Sequence, residues 1–118
     1  MNRDNNVLEK MIGYCNDIEE TAQLFGKTFD MLKTSKPYKH AVAMCILQIG
    51  ELTIYLSENF KEQYNDMPWK EIKKMRNIAA HNYGNFELDI LWNTMTEDIP
   101  ALRDYCQKIL DQTKETPQ

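Results

Sequence analysis

Apolar residues recur at steps of three and four along most of this 118-residue chain. Between Asn5 and Phe25 that spacing puts the apolar side chains on one face of a helix; they are Val7, Leu8, Met11, Ile12, Cys15, Ile18, Ala22 and Phe25. Only four glycines and four prolines interrupt the chain, which is too few for a β protein with many turns. The sequence therefore predicts an all-α fold with long helices.

Two breaks divide the first half of the chain. Gly26 is expected to end the first helix, and one or two short turns should follow before the next begins. Ser35 to Pro37 has the pattern of a helix start, with proline in the first turn. The helix that follows, about 38–58, is apolar on more than one face, which predicts a central position in the bundle. Gly50 in its interior favours close approach of another helix.

The second half of the chain begins with a stretch, "NFKEQYNDMPW", that is predicted to be a polar loop. Asp66 and Pro68 at its end resemble a helix start, with a capping carboxylate followed by proline. A fourth helix is then predicted from Trp69 to about His81, and Gly84 is expected to stop it in a turn.

The last helix is predicted at about 87–113, with Pro100 inside its apolar pattern. A proline there removes one backbone donor and predicts a kink or a short break. Short connections between four or five helices favour an up-down bundle. We expect one domain over residues 1–118, with residues 114–118 frayed.

Composition narrows the classes of function. The formal net charge is −4 and the pI is near 5.2, which argues against a broad nucleic-acid surface but not against a small one. Cys15, Cys45 and Cys106 form no C-x-x-C pair and have no histidine nearby, so no metal site and no cofactor are expected. No signal peptide or membrane span is evident, and we expect a cytoplasmic protein with reduced thiols.

Four polar or aromatic residues cluster in "MRNIAAHNYG": Arg76, Asn77, His81 and Tyr83. At about 100° per residue, Arg76 and Tyr83 fall in the core-facing sector of their helix, whereas Asn77 and His81 fall on the opposite side. Arg76 and His81 are about 140° apart on a regular helix. Either the helix distorts near its end, or a second chain supplies the other half of a site.

Each of these residues also has a structural explanation. A histidine in the last turn of a helix interacts favourably with the helix dipole. An arginine at the edge of a core face often pairs with a carboxylate, and Glu51 in the apolar central helix is a candidate partner. Asn77 can bond to nearby backbone, and Tyr83 can be a core aromatic. Residue types alone leave both interpretations open.

The stretches "LQIGEL", "MPWKEIKKMRNIAAHNYG" and "ILWNTMTEDIPAL" change this balance, because their order and spacing match a known family. From about Ala41 to Leu102 the chain resembles the HEPN superfamily, and within it the HepT-like branch. The signature of that branch is Arg-x-x-x-x-His-x-Tyr, matched here by Arg76, His81 and Tyr83. The first 30 residues match only as a helix of suitable length.

The resemblance implies a helical bundle that forms a homodimer, with the two copies of the signature facing each other across a cleft. It also implies a metal-independent endoribonuclease that is the toxin of a toxin–antitoxin pair. The implied antitoxin is a minimal nucleotidyltransferase that silences the toxin by transferring AMP to Tyr83. RNA is then the expected substrate, and neither DNA nor a membrane is an expected partner.

These implied roles suit the chemistry of the residues. His81 can act as general base or general acid near neutral pH, and a dimer supplies two such histidines. Arg76 would stabilise the phosphate in the transition state, and Asn77 would orient the histidine or the backbone. Glu51 would steady Arg76. Three lysines would hold flanking phosphates, namely Lys70, Lys73 and Lys74.

Two other classes of function remain as alternatives. A non-catalytic HEPN subunit that docks onto a nucleotidyltransferase or a nucleotide would suit the acidic pI. A purely structural helical dimer would explain the bundle but not the cluster of Arg76, Asn77, His81 and Tyr83. The intact pair of Arg76 and His81 favours the ribonuclease.

Overall fold

The computed structural model of the protein describes residues 2–81 and 87–115. This part of the chain is helical and contains no strand, which confirms the predicted all-α class. Its α-helices are α1 (Asn2–Phe25), α2 (Phe29–Thr34), α3 (Lys36–Leu52), α4 (Glu58–Gln63), α5 (Trp69–His81), α6 (Leu88–Asn93) and α7 (Ile99–Glu115). A 3₁₀ turn at Thr53–Tyr55 follows α3, and a π-helical turn at Thr94–Asp98 joins α6 to α7.

The helix α3 lies at the centre of the bundle, as its apolar composition predicts. It packs against α1 on one side and α5 on the other, and α1 packs in turn against α7. Leu8 and Met11 of α1 and Val42 and Ile46 of α3 are fully buried between them. The order α5–α3–α1–α7 leaves α5 at one edge of the described bundle.

The predicted boundaries of the first two long helices are largely confirmed. Gly26 adopts a φ of 115°, a conformation that favours glycine, and its N–H closes α1 on the carbonyl of Ala22 at 2.8 Å. Ser35 caps α3, because its hydroxyl accepts a hydrogen bond from the N–H of Tyr38 at 3.2 Å. Pro37 lies in the first turn, where it removes no helical hydrogen bond.

The prediction for the segment after α3 is wrong in two respects. The central helix ends at Leu52 and not near residue 58, because the chain tightens into the 3₁₀ turn. The expected polar loop contains α4, whose N–H at Phe60 donates to the hydroxyl of Ser57 at 3.1 Å. Phe60 is buried, and its ring lies 5.8 Å from that of Trp69. One cap and one apolar anchor suffice for a helix too short to show periodicity.

The predicted break near Pro100 is confirmed as the π-helical turn immediately before it. Proline at position 100 lacks a backbone N–H, and its ring would clash with the carbonyl of residue 96 in a regular α-helix. A π turn accommodates this by adding a residue to the helical turn. Trp92 is half-buried, and its ring meets that of Phe29 edge-on, with the ring centroids 6.0 Å apart.

Cys15 and Cys106 are buried in the core, and Cys45 is half-buried; all three are free thiols. Burial raises the pKa of Cys15 and of Cys106 from 9.0 to about 12, so both stay protonated near neutral pH. Within residues 2–81 and 87–115, no helix has the length and apolar character needed to cross a membrane.

Candidate active site

The central feature of the site is a close approach of α5 to α3 at Gly50. A Cβ atom placed on Gly50 would lie 2.7 Å from the Cβ of Arg76 and 3.0 Å from its backbone nitrogen. Real Cβ atoms do not come this close, so only glycine allows α5 to lie where it does. The close approach predicted from an interior glycine is confirmed, and the helix that approaches is the one that carries Arg76.

The side chain of Arg76 is held by the residue next to that glycine. Its Nη1 donates to Oε1 of Glu51 at 2.8 Å, and the two side chains are 32% and 42% exposed. A charge-assisted hydrogen bond at this depth restricts the guanidinium more than an exposed ion pair would. The contact expected between Glu51 and Arg76 is therefore present. Gly50 thus allows α5 to approach α3 closely, and Glu51 orients the side chain of Arg76.

The backbone of α5 is α-helical through His81. Position 81 therefore lies about 140° around the helix axis from position 76. The sequence left two alternatives, a distorted helix end or a second chain that completes the site. The backbone of α5 shows no distortion before His81. The side chains of Asn77 and His81 lie outside what the structure describes, as do Tyr83 and Gly84, so the roles predicted for them stay predictions.

The three lysines predicted to hold phosphates are all exposed on α5. Lys74 forms an ion pair with Glu71 at 3.7 Å, and both of these side chains are largely in solvent, which makes the pair weak. Lys70 and Lys73 form no ion pair within the described residues. The three lysines therefore form an exposed basic strip on α5, and the carboxylate of Glu71 offsets part of its positive charge.

A groove of about 580 Å³ runs between α5 and the π turn with the start of α7. Its walls include Ile72 and Met75 of α5 and Ile99 and Leu102 of α7. Asp98 lies at the rim, where partial burial raises its pKa. Met75 is half-buried, because α7 does not close onto α5 here. This groove follows from the arrangement of the helices in space, and no local sequence pattern predicts it.

No group of three or more histidine, cysteine, aspartate or glutamate side chains that could hold a metal ion occurs among the residues with described placement.

Comparison with known proteins adds independent evidence. Residues 11–109 match the model of the family described as "Ribonuclease HepT-like". The protein named "Probable ribonuclease HepT" of Thermococcus cleftensis is 30% identical over 101 residues, which cover 81% of this chain and 92% of that one. A "Putative RNase" of Caldanaerobacter subterraneus subsp. tengcongensis is 29% identical over 107 residues, or 91% and 94% of the two chains.

A longer relative also matches. The "Gamma-glutamylcyclotransferase and putative RNase" of Methanocaldococcus jannaschii is 36% identical over 104 residues, which cover 84% of this chain. The chain spans about half of that protein's length, 47%, and 63% of another relative from the same organism. No solved structure matches the chain. Since the family model covers most of its length, the chain belongs to the ribonuclease HepT-like family.

Proposed function

We propose that the protein is an endoribonuclease that cleaves RNA without a metal ion, in a cleft formed by two copies of the chain. The observation that carries this proposal is the geometry of α5. Arg76 is fixed against α3 by Glu51, and the helix continues without distortion to His81. Positions 76 and 81 of one chain therefore lie on different sides of the same helix. A facing copy supplies the complementary half.

The reaction uses the 2′-hydroxyl of the RNA as the nucleophile. One His81 accepts the 2′-hydroxyl proton while the 2′-oxygen attacks the adjacent phosphorus atom. The bond from phosphorus to the 5′-oxygen breaks, and the protonated His81 of the facing copy donates its proton to that leaving oxygen. The products are a 2′,3′-cyclic phosphate and a 5′-hydroxyl. Arg76 stabilises the negative charge that builds up on the phosphate oxygens.

Glu51 serves as a positioning residue in this scheme. A carboxylate that accepts from Nη1 fixes the plane of the guanidinium, and this reduces the freedom lost when Arg76 binds a phosphate. Asn77 follows Arg76 on the helix and would orient the histidine or the backbone. Lys70, Lys73 and Lys74 would contact phosphates that flank the cleaved bond.

The groove beside α5 is suited to contact with the second copy. Its walls are apolar at Ile72 and Met75, and it adjoins the helix that carries the motif. A second copy seated there would cover half-buried apolar side chains and bring another α5 close to the first. We assign this face to the homodimer.

The regulatory part of the proposal concerns Tyr83. In a toxin–antitoxin pair, a minimal nucleotidyltransferase would transfer AMP from ATP to its hydroxyl, so that the tyrosyl oxygen loses its proton and pyrophosphate leaves the α-phosphorus. The added phosphate would place bulk and negative charge two residues from His81, where the RNA phosphates have to bind. Mass spectrometry after co-expression with such an enzyme tests this point, with Tyr83→Phe as the control that cannot be modified.

The ribonuclease is tested by incubating the purified protein with tRNA and mRNA in excess EDTA. Cleavage by the wild type and its loss in both Arg76→Ala and His81→Ala would support the proposal. Lys33→Ala, on an exposed lysine of α2, is a control for loss of positive charge and should cleave normally. Absence of cleavage by a folded wild-type dimer would contradict the proposal and favour the non-catalytic binding subunit.

A further inference from the structure

A second groove lies beside the candidate site, between the N-terminal half of α1 and the end of α3. It has a volume of about 610 Å³ and is open to solvent. Its lining residues come from one face of α1 and from the segment that ends α3; they are Arg3, Asn6, Val7, Lys10, Leu52 and Tyr55. The four from α1, at positions 3, 6, 7 and 10, are related by steps of three and four, so they lie along one side of that helix.

The charge of this groove is opposite in sign to that of the protein. Arg3 and Lys10 form no ion pair within the described residues. The neighbouring carboxylate of Asp4 is buried and accepts hydrogen bonds from the N–H and the hydroxyl of Ser57, both at 2.8 Å. Glu9 projects about 100° around α1 from Lys10. Two cations therefore line the groove in a protein of net charge −4.

An exposed aromatic ring lines the same groove. Tyr55 is 53% exposed, although it belongs to a segment packed against both α1 and α5. The combination of unpaired cations and an exposed aromatic face is typical of surfaces that bind single-stranded nucleic acid. In such surfaces the cations contact phosphates, and a base stacks on the ring.

The groove is also close to the Arg76 site along the chain. Leu52 lines the groove, and the preceding residue, Glu51, holds Arg76. Consecutive residues on a helix point about 100° apart, so the groove and the arginine lie on adjacent sides of the end of α3. The 3₁₀ turn that carries Tyr55 packs against both α1 and α5, so this turn links the groove to the helix that carries Arg76.

We propose that this groove binds a single-stranded segment of RNA that flanks the cleaved bond. Arg3 and Lys10 contact its phosphates, and one base stacks on Tyr55. The inference rests on the proposed function, since it names a binding surface for the same substrate. It adds residues of α1 and of the 3₁₀ turn, which lie outside the Arg-x-x-x-x-His-x-Tyr signature.

The test measures binding of a fluorescent single-stranded RNA by anisotropy, using His81→Ala protein so that the RNA stays intact. Tyr55→Ala should weaken binding about tenfold, whereas Tyr55→Phe, which keeps the ring, should bind like the parent. A plot of log K against log salt has a negative slope. The double variant Arg3→Ala with Lys10→Ala should make this slope less steep by about 1.4, or about 0.7 for each lost phosphate contact. Thermal melting by circular dichroism checks that each variant is folded.

A charge-matched control is Lys33→Ala with Lys108→Ala, which removes two exposed cations elsewhere. It should leave affinity and slope unchanged. Equal binding by the groove variants and this control, or no RNA binding by the parent, overturns the inference. A pull-down with a purified nucleotidyltransferase adds a further test. If the groove variants keep RNA binding and lose only binding to that enzyme, the groove is a protein-binding surface and the inference is overturned. If the groove variants lose RNA binding and the wild type never cleaves, the groove is an RNA-binding surface and the ribonuclease proposal fails.

Discussion

The two helices that flank α3 differ in how completely the protein encloses them. The inner face of α1 is covered by both α3 and α7, and Leu8, Met11, Cys15 and Ile18 are at most 2% exposed. On α5, by contrast, Met75 remains half-buried beside an open groove. The same bundle thus contains a closed half that supplies stability and an open edge that presents the motif. The proposed chemistry lies where packing is incomplete.

The largest effect on folding is expected in the closed half. Ile46→Ala removes a fully buried side chain of α3, and the cavity should lower the free energy of unfolding by about 2–5 kcal/mol. Urea denaturation monitored by circular dichroism measures this change. A loss below about 1 kcal/mol would show that this half is less tightly packed than described.

The boundary between the two halves is tested at Gly50. Gly50→Ala forces a contact with the backbone and Cβ of Arg76, so we expect a loss of about 1–3 kcal/mol in stability together with reduced cleavage. Gly13→Ala is the matched control, because no atom outside its own neighbouring stretch of helix lies within 4 Å of its added methyl group. Alanine is the better helix former, so this variant should gain about 0.5–1 kcal/mol. Equal effects at the two glycines would contradict the close approach of α5.

The open edge is tested at Met75. Met75→Glu places a charge in the groove assigned to the second copy, and we expect the dimer to dissociate about tenfold more readily. Sedimentation over a range of concentrations measures this, with Met44→Glu on an exposed methionine of α3 as the control. Unchanged association of the Met75 variant would place the dimer interface elsewhere.

The smallest effect concerns the thiols of the closed half. The pKa of Cys15 and of Cys106 is raised by burial to about 12, above the ordinary value of 9.0. Their contribution to stability is complete below pH 9 and is lost as pH rises through 12, since the unfolded thiols ionise first. Each thiol should lower the free energy of unfolding by about 1 kcal/mol as the pH rises from 9 to 10. Cys15→Ala with Cys106→Ala should show a flatter decline, and an unchanged decline would exclude the thiols as its cause.

Much of the closed half could be predicted from the sequence. The spacing of apolar residues gives α1 and the central position of α3, because burial on one face imposes that spacing. Gly26 and Ser35 mark their boundaries by backbone conformation and capping. The helix α4 could not be found in this way, since six residues are less than two turns and only Phe60 anchors them.

The open edge was less accessible to sequence reasoning. Gly50 indicated a close helix, and the approach of Arg76 explains it. The pairing of Glu51 with Arg76 was one hypothesis among several, because a sequence does not show which carboxylate meets which cation. The two grooves depend on the order of helices in space, and no local pattern encodes that order. A signal existed for one of them, since Arg3, Asn6, Val7 and Lys10 share a helical face.

The central claim is that one chain carries half of an active site. It is tested most directly by cleavage assays on purified heterodimers of wild-type and His81→Ala chains, isolated with two different affinity tags. If the two histidines act as base and acid in one cleft, loss of either should reduce cleavage by a factor of about 10² or more. We predict such a loss. Heterodimers that keep half of the wild-type activity would contradict the account, because each chain would then hold a complete site.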